Sequence, residues 1–222
     1  MSSSTPKCPV DHDQTPQKCP VSSENNEVIN PLNMMPELTQ DKHHTQTKEL
    51  SIDREISTIP RTKKVDSSNN TMLNTTDADS EYWEYPSNQQ FYNALARKGM
   101  GVPEEEVDMM VQIHNFLNEG AWNEVLNWEK MHDKTCKIHR LIKLQGRPND
   151  LSPKARVLGW FGGARPFDRH DWYVDRCGRQ VRYVIDYYEA PPVDGSPVFS
   201  LDVRPAMDSF DSLVSRFKMM FK

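Results

Sequence analysis

The chain reads as an α+β protein: amino-terminal helices followed by a small antiparallel sheet and a carboxy-terminal helix, preceded by a disordered arm. Three observations predict this. All 20 aromatic residues and all 9 glycines of the 222-residue chain lie beyond position 80, so the front of the chain lacks the apolar material for a core. Through the middle of the chain apolar residues recur at helical spacing, and beyond Gln180 they alternate as in a strand. Helices first and antiparallel strands later indicate segregated α and β layers.

Residues 1–80 are rich in Ser, Thr, Asn, Asp, Glu and Lys and hold seven of the 16 prolines. They cannot bury enough apolar area to offset the entropy of ordering, which leaves 81–222 as the folded domain and 1–80 as a disordered arm whose deletion is expected to leave some activity. Within the arm, Lys7-Cys8-Pro9-Val10 recurs as Lys18-Cys19-Pro20-Val21. A proline after cysteine holds the cysteine extended and removes the next amide donor, so an exposed thiolate can reach a soft metal such as haem iron. Chance repetition in a flexible tail is the competing account.

Glu81-Tyr82-Trp83-Glu84-Tyr85-Pro86 opens the folded part, and Ser87 is a helix cap for residues 88–98, ended by Gly99. Pro103 and Glu104-Glu105-Glu106 start a long helix running to about His132. Its apolar stripe is Val107, Met110, Val111, His114, Leu117, Ala121, Val125 and Trp128. Past Pro148 the pattern becomes extended, with strands expected over 155–161, 171–175, 180–188 and 197–204, the middle pair turning at Cys177-Gly178. Met207, Phe210, Leu213, Val214, Phe217 and Phe221 then mark a final amphipathic helix.

Charge and motif content exclude several function classes. A net charge of −5 with no basic stripe disfavours nucleic acid, and no run approaches the ~20 apolar residues of a membrane span. The first ten residues match neither a signal peptide nor a presequence, so entry to an organelle is expected without a cleaved leader. Four scattered cysteines read as reduced thiols. His132, Cys136 and His139 resemble metal ligands but lack a fourth partner. Serine-hydrolase, zincin, phosphate-loop and dinucleotide signatures are absent.

Two stretches are denser in functional side chains than core packing selects: 114–122, HNFLNEGAW, and 160–172, WFGGARPFDRHDW. A porphyrin needs an imidazole emerging from an apolar wall with polar groups behind it, which His114 offers with Asn115, Asn118 and Glu119 beside it. Alternatively His114 is a satisfied core residue. Arg165, Arg169 and Arg176 suit carboxylates such as propionates, while Asp168, His170 and Asp171 suit either proton handling or an ion-pair network.

The segments EYWEYPSNQQFYNALARKG, VQIHNFLNEGAWNEVLNWE, LGWFGGARPFDRHDWYVDRCG and QVRYVIDYYEAPPVDGSPVFSLDVRPA, in that order, together with the two Cys-Pro-Val sites, resemble the mitochondrial cytochrome c-type haem lyases, or holocytochrome c synthases. The resemblance implies a lyase that joins haem b, bound through its iron as substrate, to the Cys-x-x-Cys-His motif of apocytochrome c or apocytochrome c1. It implies His114 as the haem-iron ligand and Glu119 and Arg176 as residues needed for haem handling, with His170 in support. The apolar wall is expected from Tyr82, Trp83 and Trp122, with Asn115 behind the imidazole and Cys8 and Cys19 as secondary haem contacts. The implied location is the intermembrane-space side of the mitochondrial inner membrane, attached peripherally. A non-catalytic haem-responsive regulator and a purely structural interaction module are the alternatives; in the first, Cys8 and Cys19 would do the sensing.

Overall fold

The computed structural model describes residues 29–30, 35–36, 39–62, 81–147, 149–193 and 196–221. In chain order the elements are β1 (Ile29–Asn30), β2 (Met35–Pro36), β3 (Ile56–Pro60), β4 (Tyr82–Glu84), α1 (Asn88–Arg97), α2 (Val107–Glu129), β5 (His139–Gly146), α3 (Pro153–Trp160), β6 (Asp168–Arg176), β7 (Arg179–Val193), β8 (Ser196–Pro205) and α4 (Phe210–Met220). The expected α+β class is the one observed. Strands β5-β6-β7-β8 form one antiparallel sheet in sequence order, and β3 and β4 form a two-stranded ribbon.

The helices begin where their caps direct. Ser87 accepts a hydrogen bond from Gln90 N, while the Gln90 side chain accepts one from Ser87 N, closing a capping box, and Gly99 leaves α1 with φ +73°. One turn of 3₁₀ helix at each end extends α2 over Glu104–His132, the expected span.

Helix α2 lies across the sheet. Alternation in β6, β7 and β8 turns Trp172, Val174, Tyr183, Ile185, Tyr187 and Val203 toward Ala121, Trp122 and Val125 of α2, and these make the main core with Ile59 of β3 and Trp83 of β4. The reverse face of the same strands carries buried charge. Arg169 forks onto Asp171, Arg182 bridges Asp171 and Asp208, and Arg204 meets Asp186 and Ser152.

Three expectations are corrected, and one unanticipated strand is added. Residues 155–160, expected with Phe161 as a strand, are helical, because Ser152 caps Ala155 N and Pro153 occupies the first turn, which outweighs the local strand preference. The boundary expected at residue 81 moves: residues 39–62 belong with the folded part, since Ile59 is buried in the main core and β3 pairs with β4. Strand β5 was not anticipated, its apolar residues being interrupted by Arg140, Lys143 and Gln145. Cys136 and Cys177 are joined in a disulfide across the end of α2 and the β6–β7 turn, so these two are not free thiols. His132 bonds Ser215 and His139 approaches Glu129, and among the described residues no three such side chains gather around one point.

Candidate functional site

The buried face of α2 is not the face that hydrophobicity alone selects. Asn115, Asn118 and Glu129 are buried beside Val111, Ala121 and Val125, while Phe116 is 77% exposed. Buried polar groups on a helix need partners from elsewhere, and around His114 those partners arrive from four segments.

His114 stands half-buried near the middle of α2. The rings of Phe91 and Tyr85 meet its imidazole edge-on, with centroids at 5.5 and 6.1 Å. Its Nδ1 lies 3.2 Å from Asn115 Oδ1, and Asn118 Nδ2 lies 3.2 Å from its Nε2 while donating to the His114 carbonyl at 2.9 Å. A protonated Nδ1 donating to Asn115 leaves the Nε2 lone pair as the acceptor. Burial pushes the His114 pKa below the ordinary histidine value, so the ring is neutral at physiological pH. A neutral imidazole with an oriented lone pair among aromatic walls is a ligand for a soft or borderline metal.

The polar shell is tied in turn to the rest of the fold. Asn115 Nδ2 donates to Glu55 at 2.8 Å. Glu119, one turn further along, accepts from Tyr85 OH at 2.8 Å, from Thr58 N at 3.0 Å and from the Thr58 hydroxyl. Burial, and then the Glu119 carboxylate, push the Tyr85 phenol far above its usual range, so Tyr85 stays a donor. Glu119 therefore joins α2 to β3 and to the segment after β4.

A second histidine closes the other side. Tyr187 OH lies 3.4 Å from both Asn118 Oδ1 and His170 Nδ1, and His170 Nε2 lies 3.2 Å from Asp168. Burial opposes the Asp168 charge, but the hydrogen bond and charge of His170, helped by Arg169 N, outweigh it and hold the carboxyl below its normal pKa. Strand alternation separates the neighbours: His170 faces α2, whereas Asp171 faces the reverse side and pairs with Arg169 and Arg182. Phe167 extends this wall, its ring 6.2 Å from Tyr187 and 5.8 Å from Phe199.

The expected residues thus divide. His114, Asn115, Glu119 and His170 share one neighbourhood. Trp83 and Trp122 are buried in the main core, Trp83 donating to the Leu141 carbonyl, and Tyr82 points outward at 44% exposure. The expected wall of Tyr82, Trp83 and Trp122 is replaced by Tyr85, Phe91, Phe167 and Tyr187. Arg176 is elsewhere: it forks onto Glu129 at 2.6 and 2.7 Å, and Glu129 stands fifteen residues along α2 from His114, ~22 Å at the helical rise. Arg169 is also engaged in a buried pair, which leaves Arg165 alone of the three proposed propionate partners open to solvent. Cys8 and Cys19 lie outside the described residues. Glu55 and Thr58 carried no sequence signal, standing in a segment without aromatics. Tyr85 did, since strand alternation from Trp83 turns it inward and Tyr82 out.

Comparison with known proteins matches residues 1–220 to the family described as cytochrome c/c1 heme lyase. The chain is 43% identical to the holocytochrome-c synthase of Saccharomyces cerevisiae over 96% of its own length and 86% of that protein's. It is 41% identical to the holocytochrome c-type synthase of Homo sapiens, over 91% of this chain and 74% of the relative. The same identity holds with the Gallus gallus protein of that name, over 90% and 72%. No solved structure matches.

Proposed function

The chain belongs to the cytochrome c/c1 heme lyase family, and from that membership we propose a site for its reaction. The protein is a lyase of the holocytochrome c synthase type that attaches haem to apocytochrome c, and it works at the hollow formed by His114, Tyr85, Phe91, Tyr187 and His170. The carrying observation is the neutral His114 imidazole, walled by two aromatic rings and steadied by Asn115 and Asn118.

The reaction adds each thiol of the Cys-x-x-Cys-His motif across one haem vinyl group. The S–H bond breaks, a C–S bond forms, and the hydrogen goes to the vinyl carbon, so no oxidant or reductant enters the balance. Haem b is the substrate. His114 holds its iron on one side through Nε2, after Asn118 turns its amide aside, and Asn115 keeps the ring oriented through Nδ1. Glu119 holds the Tyr85 wall and β3 in place, a positioning role. His170, braced by Asp168 and Tyr187, passes the proton between thiol and vinyl carbon. Most of the acceleration comes from holding thiols and vinyls in register. The protein supplies no nucleophile.

Apocytochrome c1 presents the same motif and is a second substrate of the same chemistry. The proposed location is the intermembrane-space side of the mitochondrial inner membrane, held peripherally. In support, no described helix is long and apolar enough to cross a membrane.

The test is the visible spectrum, with pyridine haemochrome quantification, of wild type, His114→Ala and a Cys8→Ser/Cys19→Ser variant. Wild type and the cysteine variant are expected to carry haem and His114→Ala to lose it together with synthase activity. Retention of both by His114→Ala refutes the site, and loss by the cysteine variant alone favours a sensor.

A further inference from the structure

Helix α3 and the turn after it present an open surface next to the haem hollow, with Phe167 shared between the two. Trp160 and Phe161 are 81% and 85% exposed, and Val157, Leu158 and Phe167 beside them are also open. Five apolar side chains within eleven residues facing water is a surface awaiting an occupant.

Its charge indicates which occupant. Between Asp150 and Asp168 there is no acidic residue, while Lys154, Arg156 and Arg165 are basic. Lys154 reaches Asp202, but Arg156 and Arg165 have no carboxylate partner among the described residues. The patch is therefore apolar and cationic, the combination that favours an anionic lipid surface. Tryptophan and arginine are amphipathic side chains suited to headgroup depth.

Shape and backbone agree. The two aromatics protrude at the end of a short helix, and a protrusion needs a matching cleft in a protein partner but none in a bilayer. The tip can also leave water without orphaning its amides: Phe161 N and Gly163 N donate to the Leu158 carbonyl and Gly162 N to the Gly159 carbonyl. Glycine is required there, with φ +80° at Gly162 and only 2.9 Å between a Cβ on Gly163 and the Leu158 carbonyl oxygen.

We propose that Trp160 and Phe161, flanked by Arg156 and Arg165, insert into the headgroup region of an anionic phospholipid bilayer and dock the protein there. The assignment deepens the peripheral location proposed above and rests on it. The same segment runs into Phe167, which packs on Tyr187 beside His170, so docking brings the His114 hollow to the bilayer surface, where an apolar porphyrin concentrates.

The experiment is co-sedimentation of the full chain with vesicles of phosphatidylcholine mixed with phosphatidylserine, against phosphatidylcholine alone. Trp160→Ser/Phe161→Ser and Arg156→Gln/Arg165→Gln are compared with wild type, all four positions being exposed, and far-UV circular dichroism and thermal melting verify each fold. Wild type is expected to partition onto the anionic vesicles and weakly onto neutral ones. The aromatic pair is expected to lower that partition by at least ~10-fold. The arginine pair should lower it ~10-fold on anionic vesicles only. Partition of the aromatic pair within about threefold of wild type overturns this surface while leaving the peripheral location standing. If wild type binds neither vesicle, both fall. A dimer by light scattering that the aromatic pair dissolves would replace the bilayer with a second copy of the chain.

Discussion

Arg176→Ala separates a fold-keeping role from a haem-handling one. Glu129 is fully buried and Arg176 nearly so. The carboxylate accepts both guanidinium bonds, at 2.6 and 2.7 Å, and the Tyr183 hydroxyl at 2.6 Å, and His139 Nε2 lies 3.2 Å from it without good alignment. Burial opposes the Arg176 charge, but Glu129 outweighs it and raises the guanidinium pKa. Truncation leaves a buried carboxylate with one neutral donor, and removing one partner of a buried pair costs ~3–5 kcal/mol. For a chain of this size that lowers the melting temperature by about 6–20 °C, a large share of an ordinary stability. Haem affinity of the folded fraction should stay within about twofold, because the two sites are well separated. A double variant, Glu129→Gln with Arg176→Met, should recover most of the loss. The assays are thermal melting by circular dichroism and haem titration well below the melt. An Arg176→Ala protein that melts within about 2 °C of wild type and binds haem poorly would refute the reasoning and return Arg176 to the haem.

Other outcomes follow from the geometry. Burial depresses the His114 pKa below its ordinary 6.5, so below that pH the unfolded chain takes up a proton that the folded chain resists. The His114 contribution to stability is therefore whole above about pH 6.5 and declines as the pH falls through the window beneath it. Haem affinity should be flat from about pH 8 down to about pH 6.5 and fall only below, and a midpoint above about 6.5 would contradict a buried neutral imidazole. Deleting residues 1–38 should preserve folding and haem uptake. Deleting 1–62 removes Ile59 from the core and the Thr58 and Glu55 bonds to α2, a loss of at least ~2–3 kcal/mol from the apolar side chain alone; full-length melting behaviour in that variant would contradict the assignment of β3 to the fold.

Much of this protein could be read from local pattern. Caps at Ser87 and Pro103 place α1 and α2, and alternation places β6, β7 and β8, because helix and strand periods are properties of neighbouring residues. His114 and its neighbours Asn115 and Glu119 were legible for the same reason, as was the resemblance of the ordered segments to the haem lyases. Residues whose roles depend on partners distant in sequence were not. Glu129 is buried only because Tyr183 and Arg176 meet it, and no periodicity along α2 reveals that. Ile59 belongs to the core because β3 finds β4 across twenty-one intervening residues. The same holds for the disulfide, which joins cysteines forty-one positions apart. Helix α4 shows the limit most plainly: its apolar stripe predicted the helix, yet Ser212 and Ser215 face the body while Phe210, Phe217 and Phe221 face solvent. Amphipathicity determines that a segment is helical; the surface it meets in the folded chain decides which face turns inward.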